Sequence, residues 1–166
     1  MAVDSYAFLP RAFRPMYEAV PQHDHASVWA DFAMPLAEAR IGLLSSAGIF
    51  LAEGQEPFDV ERERREPTWG DPTLRVIPND VTQSQIDATH LHINTADLLV
   101  DMNVAMPIDR LDELATAGTI GSASPEHYSL MGYQESGAEV WRTTTGPEIA
   151  ARCHAADIDA LILAPA

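Results

Sequence analysis

The stretch Ile158–Ala166 constrains the fold more than any other part of the chain. It is an apolar run of strand length, which is typical of a strand buried in a parallel sheet. The helical pattern before it begins at residues 146–148, Gly-Pro-Glu, where a proline suits the first helical turn and a carboxylate stabilises it. A helix that leads into a buried strand predicts an α/β sheet, in which the carboxyl ends of the strands hold the chemistry.

Three earlier segments, residues 40–45, 74–77 and 88–94, also have the composition of strands. Strand alternation in the third segment would put His90, His92 and Asn94 on one face. Two histidines at i and i+2 can share a metal ion. Because the pattern offers no third ligand, a hydrogen-bonding or pocket-lining role is favoured over a metal site.

A second helix is predicted after Pro107, with a stop at Gly118 and an apolar stripe of Ile108, Leu111, Leu114 and Ala115. Residues 119–121 are interpreted as a short connection, with a short strand as the alternative, and residues 126–133 as a loop beside a pocket. The alternation of strands and helices predicts the α/β class, with a doubly wound, mainly parallel sheet of Rossmann-like or flavodoxin-like type. Residues 1–35, which contain several prolines, are predicted to form an irregular N-terminal arm before an α/β domain over residues 36–166.

The balance of 10 basic against 25 acidic residues gives a net charge of -15. This charge argues against binding to nucleic acids or anionic membranes, and solubility alone is enough to explain it. The single cysteine, Cys153, excludes an internal disulfide, and its spacing of four from Ile149 predicts a buried helical face. With no apolar run of about 18 residues, the cytoplasm is the expected compartment.

Small residues follow the first predicted strand at positions 45–48, Ser-Ser-Ala-Gly. Such residues let a ligand approach the backbone or let the chain turn tightly. This is a weak signal, because the sequence contains neither of the glycine-rich patterns that mark nucleotide sites.

Two blocks of the sequence, residues 103–114 and 127–132, resemble in order and spacing the selenoprotein B family of glycine, sarcosine and betaine reductases. The resemblance is greatest to the small selenoprotein subunits of D-proline reductases. Shorter matching segments are residues 36–41, 46–48, 75–78, 89–90, 101–104, 120–121, 146–150 and 159–163. The arm over residues 1–35 matches poorly.

This resemblance implies a selenol- or thiol-dependent reductase that cleaves a C–N bond alpha to a carboxyl group. In the family, the closing strand runs into a selenocysteine or cysteine, usually with a second cysteine two residues later. We therefore expect the nucleophile directly after Ala166, followed by a further helix and strand. An in-frame UGA codon read as a stop would end the sequence there; a deliberate truncation and a naturally short paralogue are the alternatives.

The resemblance also implies site residues. The expected catalytic residues are His90 and His127, and the expected substrate-binding residues are Ser46, Asp97, Asp101, Asn103, Arg110 and Tyr128. Imidazole suits the protonation of a leaving amine near neutral pH. For Asp101 and Asn103, capping of a helix is an equally good interpretation, and Arg110 is expected to pair with an acidic neighbour rather than a ligand carboxylate. His92 departs from the family pattern.

No cofactor and no metal are expected within these residues. In well-studied relatives a pyruvoyl group activates the substrate, but it belongs to a different subunit. The expected partners are therefore a small-molecule substrate, further subunits in a homo- or hetero-oligomer and, where one exists, a pyruvoyl-bearing subunit. The alternative function is a non-catalytic binding or assembly subunit on the same scaffold.

Overall fold

A computed structural model of the chain describes residues 10–12, 14–15, 30–134 and 138–166. The chain divides into two compact units, residues 1–32 and 33–166. The arm predicted over residues 1–35 lies mostly outside the described residues, and the second unit contains the elements below.

The strands are β1 (Arg40–Ser45), β2 (Ile49–Leu51), β3 (Arg75–Pro78), β4 (Ile86–Ala88), β5 (Ser122–Ala123), β6 (Glu126–Ser129) and β7 (Ala160–Ala164). The α-helices are α1 (Val60–Arg65), α2 (Ala96–Val100), α3 (Ile108–Thr116), α4 (Ala138–Val140) and α5 (Gly146–Ala155). A π-helical turn, Trp141–Thr145, joins α4 to α5, and 3₁₀ turns lie at Leu36–Glu38, Gln83–Gln85 and Met102–Val104. No helix in the described part of the chain is long and apolar enough to cross a membrane.

Strand β1 is the centre of the main sheet. One of its edges pairs in parallel with β7, and the other pairs in parallel with β5 and then with β6. Strand β3 is antiparallel to β6 and forms one border of the sheet. Strands β2 and β4 form a separate antiparallel pair. The α/β class is confirmed, but the sheet is mixed, and the doubly wound, Rossmann-like arrangement is not confirmed.

The strand predicted over residues 88–94 is wrong beyond Ala88, because polar side chains there bond to the local backbone. Thr89 still donates its N–H to the carbonyl of Gly48 at 3.0 Å. Nδ1 of His90 then accepts from the N–H of His92 at 3.0 Å, and Oδ1 of Asn94 accepts from the N–H of Ala96 at 3.1 Å. Such bonds replace ladder bonds and turn the chain towards a helix.

The loop predicted over residues 126–133 is also wrong in its first half, which forms β6. Its polar side chains His127 and Ser129 are both 0% exposed. Sequence analysis did not predict this strand, because buried strands are normally recognised by a run of apolar residues. The predicted connection at residues 119–121 is confirmed, and β5 follows it.

Helices α3 and α5 bury part of the faces that the sequence predicted; Leu114, a member of the predicted stripe on α3, is 41% exposed. Ile108 and Leu111 of α3 belong to the main apolar cluster, and Gly118 follows the helix with a φ of 70°. Ile149 of α5 packs with Tyr128, and Cys153 packs against the same cluster. The thiol is therefore a partly buried packing group, and burial raises its pKa.

Candidate functional site

A cavity of about 250 Å³ lies where the carboxyl ends of three parallel strands meet, namely β1, β6 and β7. Its lining residues are Leu44, Ser46, Leu130, Gly132, Trp141, Leu163, Ala164 and Pro165. The carboxyl edge of a parallel sheet is the usual place for a ligand in α/β proteins. We take this carboxyl-edge pocket as the candidate site.

Ser46 is held at the pocket by the end of β7. Its N–H donates to the carbonyl of Ala164 at 3.2 Å, and its Oγ accepts from the N–H of Ala166 at 2.8 Å. The hydroxyl that accepts this bond still has its own proton to donate. Gly132 approaches so closely that a Cβ there would lie 3.0 Å from Oγ of Ser46. The expected binding role of Ser46 therefore has a suitable position, at the wall of the pocket.

Trp141 supplies the aromatic wall, and sequence analysis missed it. It begins the π-helical turn, in which the N–H of Gly146 donates to the carbonyl of Trp141. A proline lacks an N–H and its ring clashes with the carbonyl four residues earlier, so Pro147 disfavours regular α-helical bonding at this point. The Gly-Pro pair that was interpreted as a helix start is thus also the signal for an irregular turn, and π turns often lie at functional sites.

His127 lies inside the sheet and does not line the pocket. Its Nδ1 accepts from the N–H of Leu43 at 3.1 Å, so its Nε2 carries the proton and donates to Oδ1 of Asn79 at 2.8 Å. Burial lowers the pKa of His127 from 6.5 to about 4. The ring is therefore neutral near pH 7, and it links its own strand, β6, to β1. Its expected catalytic role stays a prediction, with both nitrogens already bonded.

Tyr128 is also fully buried, beneath the pocket. Its ring packs with the cluster that contains the pocket residues Leu44, Leu130 and Trp141. Its hydroxyl donates to Oε1 of Glu126 at 3.0 Å, and burial raises its pKa. Tyr128 is not among the residues that line the pocket, and its expected substrate-binding role stays a prediction.

His90 lies in the loop after β4, close to the turn that follows β1. The bond from Thr89 to Gly48 joins the two segments, but His90 is not among the residues that line the pocket. Its Nδ1 is bonded, so the proton is on Nε2, which is buried without a hydrogen-bond partner in the described residues. Burial, and then the neighbouring His92, lower its pKa. His90 is therefore a neutral imidazole with one unused donor.

The other four predicted site residues lie on α2, α3 and the turn between them. Asp97 is exposed. Oδ1 of Asp101 accepts from the N–H and Nδ2 of Asn103 at 3.0 and 2.8 Å, and these hydrogen bonds lower its pKa. Oδ1 of Asn103 accepts from the N–H of Asp109 at 3.1 Å, which ties the turn to α3. Asp101 and Asn103 thus have the capping geometry that the sequence allowed.

Arg110 forms an exposed ion pair with Glu113 at 2.9 Å, as expected from its acidic neighbours. None of the four residues Asp97, Asp101, Asn103 and Arg110 lines the carboxyl-edge pocket. Within the described ranges, no group of three or more histidine, cysteine or acidic residues has the arrangement of a metal site.

Comparisons with known proteins agree with the resemblance. Residues 13–166 match the model of the family described as glycine/sarcosine/betaine reductase selenoprotein B. Over 136 residues the chain is 27% identical to the D-proline reductase subunit gamma of Acetoanaerobium sticklandii, which covers 82% of this chain and 52% of that protein. The chain thus spans about half the length of this curated relative. No solved structure matches the chain.

Proposed function

Because the chain belongs to the glycine/sarcosine/betaine reductase selenoprotein B family, we propose that it is part of a selenol- or thiol-dependent reductase. The reaction is reductive cleavage of a C–N bond alpha to a carboxyl group. The observation that carries this proposal is the carboxyl-edge pocket, which Ala164 and Pro165 line at the end of β7. Under this proposal the redox residue follows Ala166 and therefore lies beside that pocket.

The redox residue supplies a nucleophile: its selenolate or thiolate bonds to the alpha carbon while the C–N bond breaks. The nitrogen departs as a neutral amine, which in a cyclic substrate stays attached to the rest of the opened molecule. A cysteine that follows then attacks selenium or sulfur, the carbon takes a proton, and an external dithiol reduces the resulting bond. Residues of this chain bind and orient the substrate. Ser46 offers a hydrogen bond at the pocket wall, and the apolar residues exclude water from one side of the reacting carbon.

His90 is the residue proposed to hydrogen-bond the substrate nitrogen. Its position beside the turn after β1 and its unused Nε2 proton support this role, since a neutral imidazole can donate a hydrogen bond through that nitrogen. The proposed partner is a second subunit that carries a pyruvoyl group, which would activate the substrate. We also propose that the protein acts in the cytoplasm, where thiols stay reduced.

The decisive experiment starts at the nucleotide sequence. The codon after Ala166 is read and, if it is UGA followed by an open frame, the longer protein is produced with selenocysteine inserted. We expect alkylation of the selenol by iodoacetamide and, with its partner subunit and dithiothreitol, amine release from glycine or betaine or ring opening of D-proline. A UAA or UAG codon without continuation, or a selenoprotein without selenium-dependent turnover, contradicts the proposal.

An assembly subunit is the second candidate, and the border strand β7 favours it. Within the described residues β7 pairs only with β1, and Ile162 and Leu163 on it are 47% and 64% exposed. Apolar strand edges of this kind are normally covered by another chain segment. Capture of a reductase subunit by a chain that has no redox activity would favour this second function.

A further inference from the structure

We propose that the hydroxyl of Ser46 holds the segment after β7 and donates its own proton to the selenolate or thiolate of the redox residue. This inference rests on the proposed function, since only that function places a redox residue after Ala166. It begins from the hydrogen bonds at the last contact between β1 and β7.

Ser46 takes the last position of the ladder between β1 and β7. The register of the two strands ends at the pair Ser45 and Ala164. One residue further along, the N–H of Ser46 donates to the carbonyl of Ala164 at 3.2 Å. In a regular parallel ladder the N–H of Ala166 would next donate to the backbone carbonyl of Ser46, but it donates to Oγ instead, at 2.8 Å. A side chain, and not the backbone, therefore holds the segment that follows β7.

The backbone of Gly132 confines the Ser46 side chain. A Cβ at Gly132 would lie 3.0 Å from Oγ and 3.1 Å from Cβ of Ser46. An approach this close favours a residue without a side chain, and it limits the rotamers that Ser46 can adopt. The hydroxyl is therefore fixed relative to the end of β7.

The hydroxyl still has a proton to donate. A serine hydroxyl has one proton and two lone pairs, and the bond from Ala166 uses a lone pair. Consecutive Cα atoms lie about 3.8 Å apart, so the side chain of the residue after Ala166 begins one peptide unit from the residue that Ser46 holds. A selenolate or thiolate there is a charged acceptor, and a hydrogen bond to a charged acceptor is roughly twice as strong as one between neutral groups. Such a bond lowers the pKa of the selenol or thiol and increases the nucleophilic anionic form.

The surroundings disfavour an anion that lacks a donor. Leu44, Leu130 and Leu163 make most of the adjacent pocket lining apolar, and among the described residues no charged side chain contributes to it. Burial in such surroundings raises the pKa of a thiol or selenol, and the net charge of -15 also opposes a further negative charge. Ser46 is the lining residue whose polar side chain is bonded to the segment after β7. A hydrogen bond from its hydroxyl would offset both effects.

The first test uses the chain of 166 residues and does not depend on the redox residue. Hydrogen exchange of the Ala166 amide is followed by NMR in the wild type, in Ser46→Ala and in Ser129→Ala. Ser129 is the matched control, because its Oγ accepts from the N–H of Ile49 at 2.9 Å. We expect Ser46→Ala to accelerate the exchange of Ala166 about tenfold, as for the loss of one hydrogen bond, and Ser129→Ala to leave it unchanged. Exchange in the wild type at the rate of an unstructured chain overturns the inference.

The second test uses the longer protein with its redox residue. The rate of alkylation of that residue by iodoacetamide is measured as a function of pH, and mass spectrometry separates it from alkylation of Cys153. Ser46→Ala should raise the pKa of the redox residue, so that the alkylation rate below this pKa falls about tenfold. Ser46→Thr, which keeps the hydroxyl, and Ser129→Ala should both resemble the wild type.

The outcomes separate this inference from the proposed function. An unchanged pKa in Ser46→Ala overturns the role of Ser46, even if the protein turns over its substrate. A raised pKa without selenium-dependent turnover supports the role of Ser46 and contradicts the reductase. A stop codon without continuation contradicts both, because no redox residue would then follow Ala166.

Discussion

The imidazole of His127 replaces a backbone partner of Leu43. Strand β1 pairs with β5 at residues 40–41 and with β6 at residues 44–45. Between these contacts, the N–H of Leu43 donates to Nδ1 of His127 at 3.1 Å. The ring thus closes a gap in the sheet, and it can accept this bond only while Nδ1 is unprotonated.

The first prediction concerns the pH dependence of stability. The pKa of His127 is lowered from 6.5 to about 4 in the folded protein, so the unfolded chain binds this proton at a higher pH than the folded one. The free energy of unfolding should therefore fall as the pH falls through this window, by at most about 1.4 kcal/mol per pH unit. Urea denaturation from about pH 7 to about pH 5 measures it.

Carboxylates also titrate in acid, so the matched variant is His127→Gln, which cannot be protonated there. We expect the wild type to be more stable than this variant near neutral pH and the difference to shrink on acidification. A difference that stays constant would show that His127 does not cause the pH dependence.

A second prediction concerns Asn79, whose Oδ1 accepts from Nε2 of His127 at 2.8 Å. Asn79→Leu should lower the free energy of unfolding by about 1–3 kcal/mol, because a buried N–H loses its acceptor. The side-chain amide of Asn79 also donates from Nδ2 to Oδ1 of Asp112, an exposed residue, at 3.0 Å. Asp112→Ala should change stability by less than about 0.5 kcal/mol. Equal losses in the two variants, measured by urea denaturation, would contradict this account.

A third prediction compares two glycines with the same backbone conformation. Gly48 and Gly118 have φ values of 65° and 70°. A Cβ at Gly48 would lie 2.2 Å from the carbonyl oxygen of Thr89, whereas one at Gly118 would meet nothing within 4 Å. Gly118→Ala should cost about 1–2 kcal/mol from the left-handed backbone alone. Gly48→Ala should cost more than about 3 kcal/mol, measured as the shift in thermal or urea unfolding; similar costs would disprove the close contact.

A fourth prediction concerns the buried carboxylate of Glu63. Its Oε1 accepts from the N–H of Asp71 at 3.1 Å, while Oε2 is buried without a partner among the described residues. Burial raises the pKa of Glu63, because the protonated carboxyl is easier to bury than the charged one. The free energy of unfolding that the protonated group contributes in acid is therefore lost as the pH rises through the pKa of the folded state. Glu63→Gln keeps an acceptor without the charge. The variant should gain on the order of 1 kcal/mol relative to the wild type near neutral pH, and less in acid.

The readout for Glu63→Gln is the difference in free energy of unfolding between variant and wild type at several pH values. Glu66→Gln, at a residue whose carboxylate forms an exposed pair with Arg62 at 3.1 Å, is the matched control and should change the free energy of unfolding by less than about 0.5 kcal/mol. A difference for Glu63→Gln that does not depend on pH would contradict the assigned cause.

A fifth prediction concerns the exposed border of the sheet. Ile162 on β7 is 47% exposed, and a lysine there should oppose pairing with another strand. We expect Ile162→Lys to reduce self-association of the chain in size-exclusion chromatography with light scattering. Val104→Lys changes a residue that is 66% exposed on a 3₁₀ turn, and it should leave association unchanged. Equal effects of the two lysines would show that self-association depends on general surface hydrophobicity and not on the edge of β7.

The sequence predicted local elements where the pattern and the bonding partners lie within one segment. Helix α3 with its stop at Gly118 and strand β7 after α5 are examples. The turn at His90–Asn94 was mistaken for strand, because its apolar alternation is real but its side chains bond to their own backbone. Ser46 was placed after a strand correctly, since small residues at a strand end are a local signal.

The sequence by itself determined the family, the α/β class and the positions of α3, α5 and β7, whereas the burial expected for β7 was wrong, since Ile162 and Leu163 on it are exposed. Only the tertiary structure decided that β3 pairs antiparallel, that His127 is bonded within the sheet, and that Trp141 lines the pocket beside Ser46. The physical reason is the range of the interactions. Periodicity reports on neighbours three or four residues apart, whereas these three features depend on contacts between segments that are distant in the chain.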